Sequence, residues 1–214
     1  APTVAAAASA ALLAAGYLAL RRQQRRCRTG ASAKSIPRCA WGSKVQEPPA
    51  ALGGPFVLSG VPLGSCVGQW TDDYMATAVG DMKVSAHVSE TQGLDFACKN
   101  FAYEVMQFRE FLQRAQAGNA EKKYLYYRST NPKRNKPSSL ETIGSLAEDF
   151  SLPAALLGDL QIHSSVLRVA TPGLRMWLHY DVCDNFLCCI RGRKRVVLLE
   201  PREVGNIYLS GSSS

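Results

Sequence analysis

The run HYDVCDN at residues 179–185 holds the side chains whose types and spacing could do chemistry. On an extended strand, residues i and i+2 point to the same face. His179 and Asp181 would then offer an imidazole nitrogen and a carboxylate oxygen to one ion. Two histidines and one carboxylate on one face of Fe(II) leave three positions open, for a bidentate co-substrate and for O₂. That arrangement serves oxygen activation. A strand-end histidine hydrogen-bonded to a neighbouring acid produces the same spacing with no chemistry, so the surroundings must decide.

The elements around the pair are legible in outline. PFVLSGVPLG offers a short strand over Phe56–Leu58. QWTDDYMATAVGD predicts a helix capped by Thr71, favoured by Asp72 and Asp73 in its first turn and stopped at Gly80. MKVSAHVS alternates through Met82, Val84, Ala86 and Val88, the period of a half-buried strand, which puts His87 on the polar, exposed side. Phe108, Phe111, Leu112 and Ala115 recur at helical spacing and predict an amphipathic helix ending at Gly118. KKYLYYRS reads as a strand by its tyrosines, STNPKRNKPSS as a basic polar loop, and Ser139 to about Phe150 as a further helix. VLRVA, LRMWLHY, DNFLCCI and KRVVLLE then read as strands, with Pro172–Gly173 at the centre of a type II turn and a helical turn at PREVGNIYL. Helices preceding short strands predict an α+β, mainly β fold with a sandwich or barrel core.

The 214 residues carry a net charge of +8, unevenly spread. Residues 1–46 hold eight basic residues and no acid, whereas residues 47–214 balance 17 basic against 17 acidic. Residues 1–20 are uncharged and rich in Ala and Leu, followed by RRQQRRCR. Three readings stay open for them: a membrane anchor, an organelle transit peptide, or translated sequence foreign to the mature protein. Residues 21–53 read as a basic flexible linker, and the folded domain as 54–214. Seven cysteines without a CxxC pair exclude a zinc module and a disulfide scaffold. Cys188 and Cys189 sit in an apolar run and are expected to be buried. A reducing intracellular compartment, cytoplasm or nucleus, follows.

WLHYDVCDNFLCCIRGRKRVVLLEPRE resembles the iron-binding half of the JmjC-domain (cupin-like) Fe(II)/2-oxoglutarate dioxygenases, and the likeness extends over roughly Gly54 to Ser210. The resemblance implies an incomplete double-stranded β-helix, or jelly roll, with N-terminal helical decoration. It implies Fe(II) on His179 and Asp181, and 2-oxoglutarate as co-substrate. Lys194 would pair with its distal carboxylate as a point charge. Asn185 would lie beside it, and Tyr124 (or Tyr126, two along on the same face) would donate to the same carboxylate. Within the family the likeness is to hydroxylases of a hypermodified guanosine, which makes tRNA the implied partner. Lys133, Arg134 and Lys136 beside the tyrosines, and Arg191 and Arg193 on the following hairpin, are the candidate phosphate contacts. Hydroxylation of a protein side chain and a non-catalytic role are the alternatives, and a homodimer is compatible with each.

Two departures from the family pattern carry consequences. Met176 stands where many members place a threonine that contacts the co-substrate. The third iron ligand, which members supply from a stretch resembling GDxxxIPxxWxH, has no counterpart before Ser214. Two protein ligands hold Fe(II) poorly, and missing strands leave edges open. The expectation is that this chain by itself is a fragment, inactive and poorly folded.

Overall fold

A computed structural model describes residues 35–42, 54–117, 123–133 and 135–207. The candidate anchor at 1–20 therefore lies outside the described residues, as do most of the expected linker and Gly118. Among the described residues no helix is long and apolar enough to cross a membrane. The chain divides into two units, residues 1–45 with 52–59, and residues 46–51 with 60–214. In the first, β1 (Arg38–Ala40) pairs in parallel with β2 (Val57–Ser59). Backbone bonds from Val57 N to Pro37 O (2.9 Å) and from Trp41 N to Ser59 O (2.8 Å) extend the ladder. β1 thus places a paired strand inside the stretch expected to be linker: the apolar VLS segment has open backbone groups, and residues 38–40 satisfy them.

The second unit opens with α1 (Cys66–Gln69) and α2 (Asp72–Val79). Thr71 caps α2 as expected, its hydroxyl accepting from Tyr74 N at 3.1 Å. Then follow β3 (Lys83–Ser89), β4 (Gly93–Leu94), β5 (Ala102–Gln107), α3 (Phe108–Ala117) and β6 (Tyr124–Arg128). A pair of 3₁₀ turns spans Leu140–Ala147, and α4 (Ala154–Leu157), β7 (Arg168–Ala170), β8 (Arg175–Met176) and a 3₁₀ turn at Pro201–Asn206 complete the order. Strands β5-β3-β6-β7 form one antiparallel sheet, while β4 and β8 pair in parallel. This is a partial jelly-roll core with helices gathered at its N-terminal side.

The core forms where periodicity predicts it. Phe108, Phe111, Leu112 and Ala115 of α3 are buried against Val84, Ala86 and Val88 of β3, Met106 of β5, and Leu125 and Tyr127 of β6. The Phe108 and Phe111 rings stack at 5.9 Å, and Tyr127 closes on both at 5.5 and 5.9 Å. Each such aromatic or leucine contributes about 1.5–3 kcal/mol by leaving water.

Three segments differ from expectation. The helix expected from Ser139 is broken, because Gly144 takes φ +65° and leaves two tight turns on either side of it. DNFLCCI and KRVVLLE form no strand; Leu187, Val197 and Leu198 are 50%, 68% and 54% exposed. An extended segment becomes a strand only by pairing, and among the described residues nothing pairs with these. For the same reason Cys188 is only half-buried and Cys189 exposed. All six described cysteines are free.

Asp149 ties α1 and α2 to the 3₁₀ turns. Its carboxylate accepts from Ser65 Oγ, Trp70 Nε1 and Tyr74 Oη, each at 2.9 Å, and its carbonyl accepts from Cys66 N at 3.0 Å. Gly64 makes the approach possible: at φ +92°, an added Cβ would lie 2.3 Å from the Asp149 carbonyl oxygen. Burial pushes the Asp149 carboxyl up, but the bonds from Trp70, Ser65 and Tyr74 outweigh it and hold the group below its ordinary value. Its share of stability is complete above the ordinary carboxylate value of 3.8 and is lost as pH falls from there through the lower folded-state value. Asp149→Ala should cost about 1–3 kcal/mol in urea unfolding at pH 7. The gap between variant and wild type should narrow below pH 4, roughly where carboxylates protonate.

Candidate functional site

Placement of the 179–185 run begins at Thr171. This buried residue donates its N–H to Leu125 O (2.9 Å) and accepts from Leu125 N through Oγ1 (3.0 Å). The expected turn follows, with Gly173 at φ +84° and Leu174 N bonded to Thr171 O at 3.3 Å. Arg175 N then donates to Gln92 O at 2.8 Å, and β8 pairs with β4, Met176 opposite Leu94. The ladder ends there. Beyond it the Trp177 ring packs on Phe96 (5.9 Å) and lies nearly parallel to His179 (6.4 Å, 18°).

His179 and Asp181 are both exposed and lie three and five residues beyond the end of the ladder at Met176. His179 Nδ1 lies 2.9 Å from Trp177 O. A carbonyl only accepts, so Nδ1 is the donor, and in the neutral ring Nε2 then carries the lone pair that a metal requires. Asp181 accepts from Asn185 Nδ2 through Oδ2 at 2.8 Å, leaving Oδ1 open. These are two donors of the right chemistry for Fe(II). Among the described residues no third His, Cys, Asp or Glu joins them.

The face of the sheet opposite the core carries a second group. Alternation on β6 sends Leu125 and Tyr127 into the core and Tyr124, Tyr126 and Arg128 to the other side. Arg168 stands opposite Arg128, and His87 stands between Tyr126 and Tyr103. Tyr124 and Tyr126 therefore share a face, as expected for the tyrosine donor. Burial pushes the Tyr126 hydroxyl up, against the pull of Arg168 and Arg128. Lys194 is exposed overall, but shielding of its ammonium, followed by the Arg168 guanidinium, pushes it down. Neither cation forms an ion pair with a described residue.

His87 is the clear correction. It is 8% exposed rather than on the surface, its ring set against Phe96 (5.4 Å), Phe101 (4.8 Å), Tyr103 (4.7 Å) and Tyr126 (5.4 Å). Alternation marks which face meets the core; it does not show that the other face is also covered. Burial lowers the His87 pKa, opposed by the bond to Tyr126 O and reinforced by Arg128.

The basic candidates separate. Lys133 and Lys136 are exposed on a loop that Asn131 closes, donating to Pro137 O (2.9 Å) and accepting from Lys133 N (3.0 Å). Arg134 lies outside the described residues. Arg193 is exposed, whereas Arg191 is held by Asp72 at 2.7 Å, which fastens the segment to the start of α2.

A family model, the cupin-like domain, matches residues 43–214. The chain belongs to the cupin-like domain family. Its curated relatives include tRNA wybutosine-synthesizing protein 5 of Mus musculus, 38% identical over 168 residues, which covers 75% of this chain and 53% of that protein. The Gallus gallus protein 5 is 40% identical over 168 residues, covering 75% and 52%. tRNA wybutosine-synthesizing protein 4 of Neurospora crassa is 45% identical over 168 residues, covering 76% of this chain and 14% of that protein. The chain thus spans about half the length of the protein 5 relatives it matches. The cupin-like match accords with the jelly-roll expectation.

If the geometry around His87 holds, ¹⁵N-edited NMR of the imidazole ring at pH 7 shows the Nδ1-protonated neutral tautomer. The ring should stay neutral to a lower pH than the ordinary histidine value of 6.5. Titration at or above that value would contradict the buried placement.

Proposed function

We propose that this chain is the iron-binding portion of an Fe(II)/2-oxoglutarate-dependent hydroxylase that acts on a wybutosine-type guanosine in tRNA. The observation that carries the reading is His179, whose Nδ1 is engaged backwards on Trp177 O so that Nε2 is left free, two residues before an Asp181 with one oxygen uncommitted. Similarity to proteins named for tRNA wybutosine synthesis supports the substrate class. In this reading His179 and Asp181 hold the iron, which when bound supplies activation of O₂ against 2-oxoglutarate. The third donor comes from outside the described residues.

The chain's own residues then have defined tasks. Asn185 fixes one oxygen of Asp181 and so orients the other. Lys194 and Arg168 present an uncompensated positive field suited to the distal carboxylate of 2-oxoglutarate. Tyr124, with Tyr126 two positions on, lies on the same face as Arg168 and can donate a hydroxyl proton to that carboxylate. Met176 contributes no hydroxyl, which leaves this recognition to the lysine and tyrosine. Lys133 and Lys136, with Arg134 between them and Arg193 on the other loop, approach tRNA phosphates. Arg191 serves as a tether, since its guanidinium is engaged by Asp72. Free thiols throughout the described residues suit an intracellular, reducing setting. Residues 54–214 form the catalytic region in this layout and residues 21–53 lead into it.

Mass spectrometry of anticodon-loop guanosine from cells lacking the gene tests the reaction. Loss of the hydroxylated wybutosine-type nucleoside is expected, and an unchanged nucleoside profile would contradict it. Lys133→Glu with Lys136→Glu in the intact protein should flatten the slope of log affinity against log salt by about 2. An unaltered slope would remove this loop from the tRNA contact.

A further inference from the structure

His87 has a feature that packing does not require. Its Nδ1 lies 3.2 Å from Tyr126 O, an acceptor, so Nδ1 bears the hydrogen and Nε2 carries the lone pair. No described group donates to Nε2. Yet no fully buried side-chain nitrogen or oxygen among the described residues lacks a partner, so Nε2 is not sealed from solvent. A phenyl ring would fill the same space without the cost of desolvating an imidazole.

The rings around it form a continuous row. Tyr103, 63% exposed, is the outer lip, and Phe101 meets it edge-on at 5.6 Å. Phe96 touches His87 on one side and Trp177 on the other, and Trp177 leads to His179. The loop that carries Phe96 is stiff. Asn100 Nδ2 donates to Thr91 Oγ1 and Gly93 O, both at 2.8 Å, and its Oδ1 accepts from Asp95 N at 2.8 Å. Asp95 Oδ1 in turn accepts from Ala97 N and Cys98 N. Half-buried aromatic faces held rigidly beside an unsatisfied acceptor match a flat heteroaromatic ring that bears a hydrogen-bond donor.

We propose that the row from Tyr103 through Phe96 to Trp177 is the subsite for the modified base, and that His87 Nε2 is the acceptor that reads a donor on the base or its substituent. This rests on the tRNA reading above and adds the residues that select the base. An acceptor that the seated base shuts off from water rejects analogues that lack the matching donor, because it is then left unpaired. His87 is thereby a specificity residue, distinct from the metal pair.

The test compares two fluorescein-labelled anticodon stem–loop RNAs, one carrying the wybutosine-type guanosine and one carrying plain guanosine, by fluorescence anisotropy with the intact protein. The wild type should prefer the modified loop. His87→Phe, which keeps a ring in the cluster, and Tyr103→Ala, on an exposed side chain, should each reduce that preference by roughly fivefold or more. Unchanged thermal melting by circular dichroism identifies the folded variants. Preference retained within about twofold in both folded variants, against a thermal-noise scale near RT, overturns the subsite and leaves the tRNA reading standing. A wild type that does not distinguish the two loops overturns both.

Discussion

Two rungs of parallel ladder, Gly93–Leu94 against Arg175–Met176, fix where the histidine–carboxylate pair can be. Everything before them is set by the core: Thr171 is bonded twice to Leu125, and the turn at Pro172–Gly173 delivers Arg175 to Gln92. Everything after them depends on side chains, since the backbone pairing stops at Met176. Phe96 against Trp177 and Arg191 on Asp72 are the contacts that take over. A short ladder therefore transmits the rigidity of a packed sheet to an exposed segment that could not hold a geometry by itself.

The two faces of the antiparallel sheet divide the work. One face packs the α3 phenylalanines and supplies stability, together with the Asp149 hub that draws the N-terminal helices inward. The other collects His87 and Tyr126, which are buried, with Tyr124 half-buried and Arg128 and Arg168 exposed. Among the described residues Lys194 and Arg168 have no ion-pair partner, and the His87 imidazole has one nitrogen without a donor.

Much of this was legible in the sequence. The α2 cap at Thr71, the four-residue apolar stripe of α3, the strand alternation of β3 and the type II turn all come from local chemistry that neighbours do not override. The elements that went unread depend on partners distant in sequence. DNFLCCI and KRVVLLE have strand composition but no ladder, and the helix expected after Ser139 breaks at a glycine whose conformation spacing does not reveal. His87 was missed because period two sorts residues between faces without saying what covers each face. Asp149 was invisible for a related reason: its three donors, Ser65, Trp70 and Tyr74, lie some eighty residues earlier in the chain, at separations of 84, 79 and 75. The His179–Asp181 pair is an expectation from its spacing. The structure adds the Nδ1 contact to Trp177 O and the Asn185 contact, while the strand geometry invoked for it ends three residues short of His179.

Cobalt(II) titration of the intact protein, followed by visible d–d absorption, bears most directly on the pair. The account predicts a saturable spectrum that shifts when 2-oxoglutarate is added and that disappears in both His179→Ala and Asp181→Ala. An identical spectrum in wild type and both variants would contradict it.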